Sequence, residues 1–150
     1  MKKTNSLALT RARKKAEKLL KKQQWPEARL ALQTLCRMAP EDHGAWRDLG
    51  EVCAALGDMA GAEQAWQRAL ALQAELPQVH LHLARLYTAG GRWAQAEPHL
   101  RACLQHNPAD TEALAKLALT LEAQGRLGEA EALYRRELAV DADRVAATLG

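Results

Sequence analysis

A chain of 150 residues has the length of one ordinary domain, and 48% apolar residues suffice for a continuous core. No stretch approaches the roughly 20 apolar residues of a membrane span. The net charge of +3 hides a gradient, because residues 1–42 carry 11 Lys/Arg against 4 acids while residues 43–150 carry 10 against 14.

In chain order the first segment is a basic leader, residues 1–8. Leu7-Ala8-Leu9 is cut off by Arg11, Arg13 and Lys14, far short of the 7–15 apolar residues of a secretory signal. Cys36, Cys53 and Cys103 are widely spaced, odd in number and form no C-x-x-C pair. Neither a disulfide framework nor a zinc ribbon is indicated, and small buried apolar residues are expected there. Both observations lead us to expect a cytoplasmic protein. The basic excess in Lys2, Lys3, Arg11, Arg13, Lys14, Lys15, Lys18, Lys21 and Lys22 could attract nucleic acid or an anionic membrane. It reads instead as the solvated outer face of a first helix, because arrays need a polar terminal face. Nucleic acid and membrane are therefore not the expected partners.

From residue 9 a period of 34 is read four times without insertion. Ala12…Ala16, Ala28…Leu32…Leu35 and Pro40 mark residues 9–42. Trp46…Leu49-Gly50…Cys53 and Ala62…Trp66…Ala69 mark residues 43–76. His80…Leu83-Ala84…Tyr87, Ala96…Leu100…Cys103 and Pro108 mark residues 77–110. Leu114…Leu117-Ala118…Leu121 and Ala130…Tyr134 mark residues 111–144. A fixed period of this length belongs to a stacked array of helical hairpins, not to a globule around one cleft. Within each unit the apolar residues recur at three- and four-residue steps, giving two amphipathic helices. Gly57-Asp58, Gly91-Arg92 and Gly125-Arg126 separate them, glycine ending a helix in the left-handed conformation. The first unit has Gln23-Gln24 there, followed by Trp25-Pro26. Small residues at 16, 50, 84 and 118, and Ala28, Ala62, Ala96 and Ala130, allow close helix approach, while Trp25, Trp46, Trp66, Trp93, Leu100 and Tyr134 fill space between hairpins. Pro98 should kink the second helix of its unit. Residues 145–150 read as the start of a further helix that stops within two turns, leaving the last hairpin uncovered.

These units resemble tetratricopeptide repeats (TPRs), whose pattern of large, Leu, small and aromatic residues, then Ala, aromatic, Ala and Pro, is met most fully by Trp46 to Ala69. The resemblance covers residues 9–144 and departs from the pattern at Ala74, Ala142 and Glu137. It implies an all-α, right-handed superhelical solenoid of four antiparallel helix hairpins. It implies no function by itself, since such a fold hosts many roles.

The sequence contains no Gly-rich phosphate loop, HExxH or GxSxG, so no enzyme activity, cofactor or small-molecule substrate is expected of these residues. His99 and Cys103 lie one turn apart with His106 beyond, but no further ligand completes a four-coordinate site, and no metal is expected. His80 occupies the slot of Trp46 and Leu114 and reads as a packed core histidine.

The TPR resemblance places function on a concave surface lined by the first helix of each hairpin. Its slots transfer to Arg13, Lys14 and Glu17, then Arg47, Asp48 and Glu51, then Leu81, His82 and Arg85, and finally Lys116 and Leu119. Glu17 and Asp48 stand where family members that clamp a terminal carboxylate carry Asn, so that clamp is not expected. An Asn ladder is absent too, the slot reading Lys14, Asp48, His82, Lys116. The expected role is a non-catalytic scaffold that holds a peptide or helix of a partner protein in this groove. The alternative is the regulatory or substrate-recruiting N-terminal region of a larger bacterial enzyme of glycosyltransferase, sulfotransferase or methyltransferase type. Weak self-association through the C-terminal end is a further expectation, since exposed apolar surface seeks a partner.

Overall fold

The computed structural model describes residues 2–149, with side chains from Ser6 onward. The side chains of Lys2 and Lys3 in the basic leader, and Gly150 at the end, lie outside the described residues. Among the described residues all secondary structure is helical, in two compact units, Met1–Leu76 and Pro77–Gly150. No helix among them is long and apolar enough to cross a membrane.

The first unit holds α1 (Lys2–Lys21), α2 (Trp25–Met38), α3 (His43–Ala55) and α4 (Met59–Leu72). Here α1 packs on α2, α2 on α3, and α3 on α4. The second holds α5 (Pro77–Ala89), α6 (Trp93–His106), α7 (Thr111–Ala123) and α8 (Leu127–Leu149). Its helices pack in the same succession, with α5 also touching α7.

Each hairpin turns on one residue in the left-handed region. Gly57, Gly91 and Gly125 have φ of 82°, 69° and 78°, and Gln23 adopts φ 54° in the first hairpin. In all four, the next backbone N–H donates to the carbonyl five residues back: Gln24 to Leu19, Asp58 to Cys53, Arg92 to Tyr87 and Arg126 to Leu121. That bond satisfies a helix-end carbonyl. Gln23 makes the same turn with a side chain, at a cost of roughly 1–2 kcal/mol. Aspartates then start three helices. A carboxylate oxygen of Asp42, Asp58 and Asp110 accepts from the backbone N–H of Ala45, Gly61 and Ala113, each worth about 1 kcal/mol.

The small slots are the close-approach points. Ala28, Ala62, Ala96 and Ala130 are buried, as are Ala16, Gly50, Ala84 and Ala118. At Gly50 an added Cβ would clash with the indole nitrogen and its neighbouring ring carbons in Trp66. Leu32, Trp66 and Leu100 fill the matching large slot and are buried, whereas Tyr134 in the same slot is 38% exposed, with no further helix among the described residues following α8. Trp25, Trp46 and Trp93 are half-buried rather than enclosed. The Trp46 indole donates to the carbonyl of Pro40 at 2.9 Å, pinning the link between hairpins. Helix α6 runs as one helix through Pro98, whose ring is exposed.

One expectation is corrected here. No further helix starts at Val145, because α8 continues unbroken from Leu127 to Leu149. Residues 129–149 contain neither Gly nor Pro, and Ala142 replaces the proline that follows the second helix at Pro40 and Pro108. Nothing there removes a backbone donor or favours a left-handed turn. Arg144 also ties the extension down, donating to the Ala109 carbonyl and the Thr111 hydroxyl at 3.4 Å.

Candidate partner-binding faces

In the first unit, α1 and α3 place four of the selected side chains around one cleft. Arg13, Glu17, Arg47 and Asp48 line a space of about 160 Å³ floored by Ala16, Ala45 and Leu35. Lys14 and Glu51 are exposed on the same two helices and do not line it. The walls are held by ion pairs. Arg13 Nη2 donates to Asp42 Oδ2 at 2.8 Å, while the other oxygen of Asp42 caps α3. Arg47 Nε reaches Asp48 Oδ1 at 3.3 Å. Burial holds the Asp48 carboxyl above the usual carboxylate range, with Arg47 pulling the other way. Burial, reinforced by Asp42 and Asp48, pushes the Cys36 thiol up to about 12. It is therefore a protonated thiol and not a nucleophile at neutral pH.

In the second unit, α5 carries Leu81, His82 and Arg85, and α7 carries Lys116 and Leu119. Arg85 makes a two-pronged pair with Glu112, each N–H···O contact 2.7 Å. This bidentate geometry is the stronger form of such a bond. It holds the Glu112 carboxyl below its ordinary range, with Lys116 and His82 adding to the pull. The Arg85 guanidinium is thus already engaged within the unit, and Lys116 is half-buried. Leu81 and His82 are half-buried, and Leu119 is 47% exposed. The face combines an apolar patch at Leu119 with a fixed charge cluster.

Asp42 and Glu112 escaped the sequence reading. Each lies where the next first helix begins, 29 residues after Arg13 and 27 after Arg85. The 34-residue register places these acids near the two arginines, but it does not choose which acid within reach each guanidinium takes.

The histidine pair has a different form from a metal centre. His80 Nδ1 and His99 Nδ1 are 2.9 Å apart, so one ring donates to the other. The ring centroids are 5.2 Å apart, with Tyr87 5.6 Å from His99. Burial, then His80, lowers His99 to about 4, so it is neutral at pH 7. The Cys103 thiol, raised to about 11 mainly by burial, lies 3.8 Å from the Pro77 carbonyl. Among the described residues no three His, Cys, Asp or Glu side chains converge on one point. All three cysteines are free and buried.

Comparison with known proteins gives this geometry a context. The family model described as the cytochrome c-type biogenesis protein H TPR domain matches residues 1–141. No curated protein matches the chain. A crystal structure of MamA superposes with a TM-score of 0.80 at 18% identity, over 92% of this chain and 81% of that one. YrrB, described as a TPR protein with an unusual peptide-binding site, gives 0.77 at 18% identity, over 93% of this chain and 72% of its own. A tetratricopeptide repeat protein from Parabacteroides merdae ATCC 43184 gives 0.79 at 21% identity, over 91% and 54%. At these identities the likeness is one of fold, the all-α fold of TPR hairpins.

Proposed function

Since the chain belongs to the family of cytochrome c-type biogenesis protein H TPR domains, we propose that it is a non-catalytic scaffold holding a peptide or helix of a partner in c-type cytochrome assembly. The observation that carries this reading is the cleft between α1 and α3, where Arg13, Glu17, Arg47 and Asp48 converge. Internal ion pairs fix its walls before any partner arrives, which lowers the ordering cost of binding. A cleft of about 160 Å³ suits one side chain of an incoming segment rather than a small-molecule substrate. Glu17 and Asp48 favour a basic or hydrogen-bonding side chain there. In the second unit the exposed Leu119, on the same helix as Glu112, offers contact to an apolar side chain. The cytoplasmic placement rests on the three free, buried thiols and is tested by compartment-specific reporter fusions.

The binding test uses fluorescence anisotropy with overlapping peptides that span an apocytochrome c. At least one peptide binds, and Asp48→Asn or Arg13→Ala weakens it about tenfold, near 1.4 kcal/mol, without lowering the melting temperature by more than a few degrees. Absence of binding by every peptide, or equal binding by both variants and the parent chain, rejects this reading.

A further inference from the structure

The slots at the junction between successive hairpins are filled one way inside each unit and another way at the two chain ends. On the second-helix side, α2 presents Leu32, Leu35 and Cys36 to α3, and α6 presents Leu100, Cys103 and Leu104 to α7, all buried. Their counterparts in α8 are Tyr134, Glu137 and Leu138. Tyr134 is 38% exposed and Leu138 68% exposed. On the first-helix side, α3 presents Trp46, Leu49 and Cys53, and α7 presents Leu114, Leu117 and Leu121. Their counterparts in α1 are Ala12, Lys15 and Leu19. With Leu30 and other α2 residues these three line an open cleft of about 350 Å³. Ala12 leaves that space because Trp46 or Leu114 fills it elsewhere.

Two of the six terminal slots have changed from apolar to charged, and they carry opposite signs. Lys15 replaces the leucine of positions 49, 83 and 117, and Glu137 replaces Leu35, Ala69 and Cys103. Each belongs to a surface that, inside a unit, is covered by the other kind. The helix lengths match as well. Helices α3, α5 and α7 begin at the slot equivalent to residue 9, whereas α1 begins at Lys2. Helices α2, α4 and α6 end at the slot equivalent to residue 140, whereas α8 ends at Leu149. Consecutive helices run antiparallel, so placing α1 against α8 sets these two overhangs side by side. Leu7 and Val145, both more than half exposed, stand on them.

We propose that the exposed face of α8 in one copy docks into the α1–α2 cleft of a second copy, as α2 packs on α3. Leu138 and Tyr134 supply apolar contact to the cleft, and Glu137 meets Lys15. The apolar contact drives association, and the charge pair fixes which surfaces meet. Each copy carries one surface of each kind, so the contact is head-to-tail, and a single contact between two copies leaves one surface of each kind open. Association therefore grows with concentration beyond a dimer, and salt weakens it.

The test is sedimentation velocity on the whole chain from about 10 µM to about 1 mM. The parent chain gains mass past the dimer as concentration rises. Lys15→Glu puts two acids in the contact, and Glu137→Lys puts two bases there, so each variant alone associates about tenfold more weakly. An equimolar mixture of the two recovers association, because the carboxylate introduced in one chain then faces the ammonium introduced in the other. Neither side chain is buried, so thermal melts of both variants stay within a few degrees of the parent chain. Leu138→Lys supplies a second route, abolishing growth from a site that is already exposed. A parent chain monomeric throughout, or a dimer that never grows, overturns the proposal. So does association indifferent to Lys15→Glu, or a mixture no better than its components.

Discussion

In the hairpin α3–α4, Gly50 lies against the indole of Trp66, Gly57 makes the turn and Asp58 caps the following helix. In α1–α2, 34 residues earlier, the same places hold Ala16, Leu32, Gln23 and Gln24. Both hairpins close with the same backbone hydrogen bonds. What differs is the energy stored at each slot. Helix α3 packs on both α2 and α4, and its hairpin has a large residue at 46 and 49, a glycine at the tightest approach and a proper turn residue. Among the described residues α1 packs on α2, and its other face carries Ala12 and Lys15 beside an open cleft. The period thus dictates the path of the chain, and the number of neighbours dictates how strictly each slot is filled.

The largest expected difference between the two hairpins lies in the slot shared by residues 15 and 49. Leu49→Ala should cost about 2–5 kcal/mol, whereas Lys15→Ala should change stability by less than about 0.5 kcal/mol. Urea titrations give both values, and equal effects would erase the distinction between a helix packed on two sides and one packed on one. Next is the close-approach slot. Gly50→Ala drives a methyl into Trp66 and should destabilise by about 1–3 kcal/mol. Ala16→Gly should cost only about 0.5–1 kcal/mol, from backbone entropy. A stabilising Gly50→Ala would show that the indole can swing aside.

The turn gives a prediction of opposite sign. Gln23→Gly removes the left-handed strain and should stabilise by about 0.5–1 kcal/mol, while Gly57→Ala should destabilise by about 1 kcal/mol. Melting temperatures of the two variants should move in opposite directions. The smallest effect concerns the cap. Asp58→Ala should cost about 1 kcal/mol, and Gln24→Asp should gain a few tenths by supplying the side-chain acceptor that α2 lacks. A neutral Asp58→Ala would mean that the 2.9 Å bond to Gly61 contributes little.

The parts legible in the sequence were those written in the period. The slots of Ala28, Ala62, Ala96 and Ala130, the glycine turns and the burial of Cys36, Cys53 and Cys103 follow from residue type and register alone. Register also drew Arg13, Glu17, Arg47 and Asp48 to neighbouring slots, and they line a common cleft. The pairs Arg13–Asp42 and Arg85–Glu112 were not legible, because long side chains choose among several acids within reach and register fixes only the Cα positions. The contact of His80 with His99 was hidden for the same reason. The run-on of α8 departs from the stop that the corresponding slots predict, because the residues from Glu129 to Leu149 contain no helix breaker.

The confinement of contacts to neighbouring helices also bears on how quickly the chain finds its structure. Among the described side chains, the hydrogen bond from Arg144 to the Ala109 carbonyl reaches back 35 residues, and the forked pair of Arg85 only 27. No contact of that kind requires a long loop to be closed first, so the entropy lost before the first stabilising contacts form is small. Chains built from such local contacts fold in about microseconds to milliseconds. Any of the hairpins can then serve as the starting point, with each completed pair presenting a ready surface to the next helix in line.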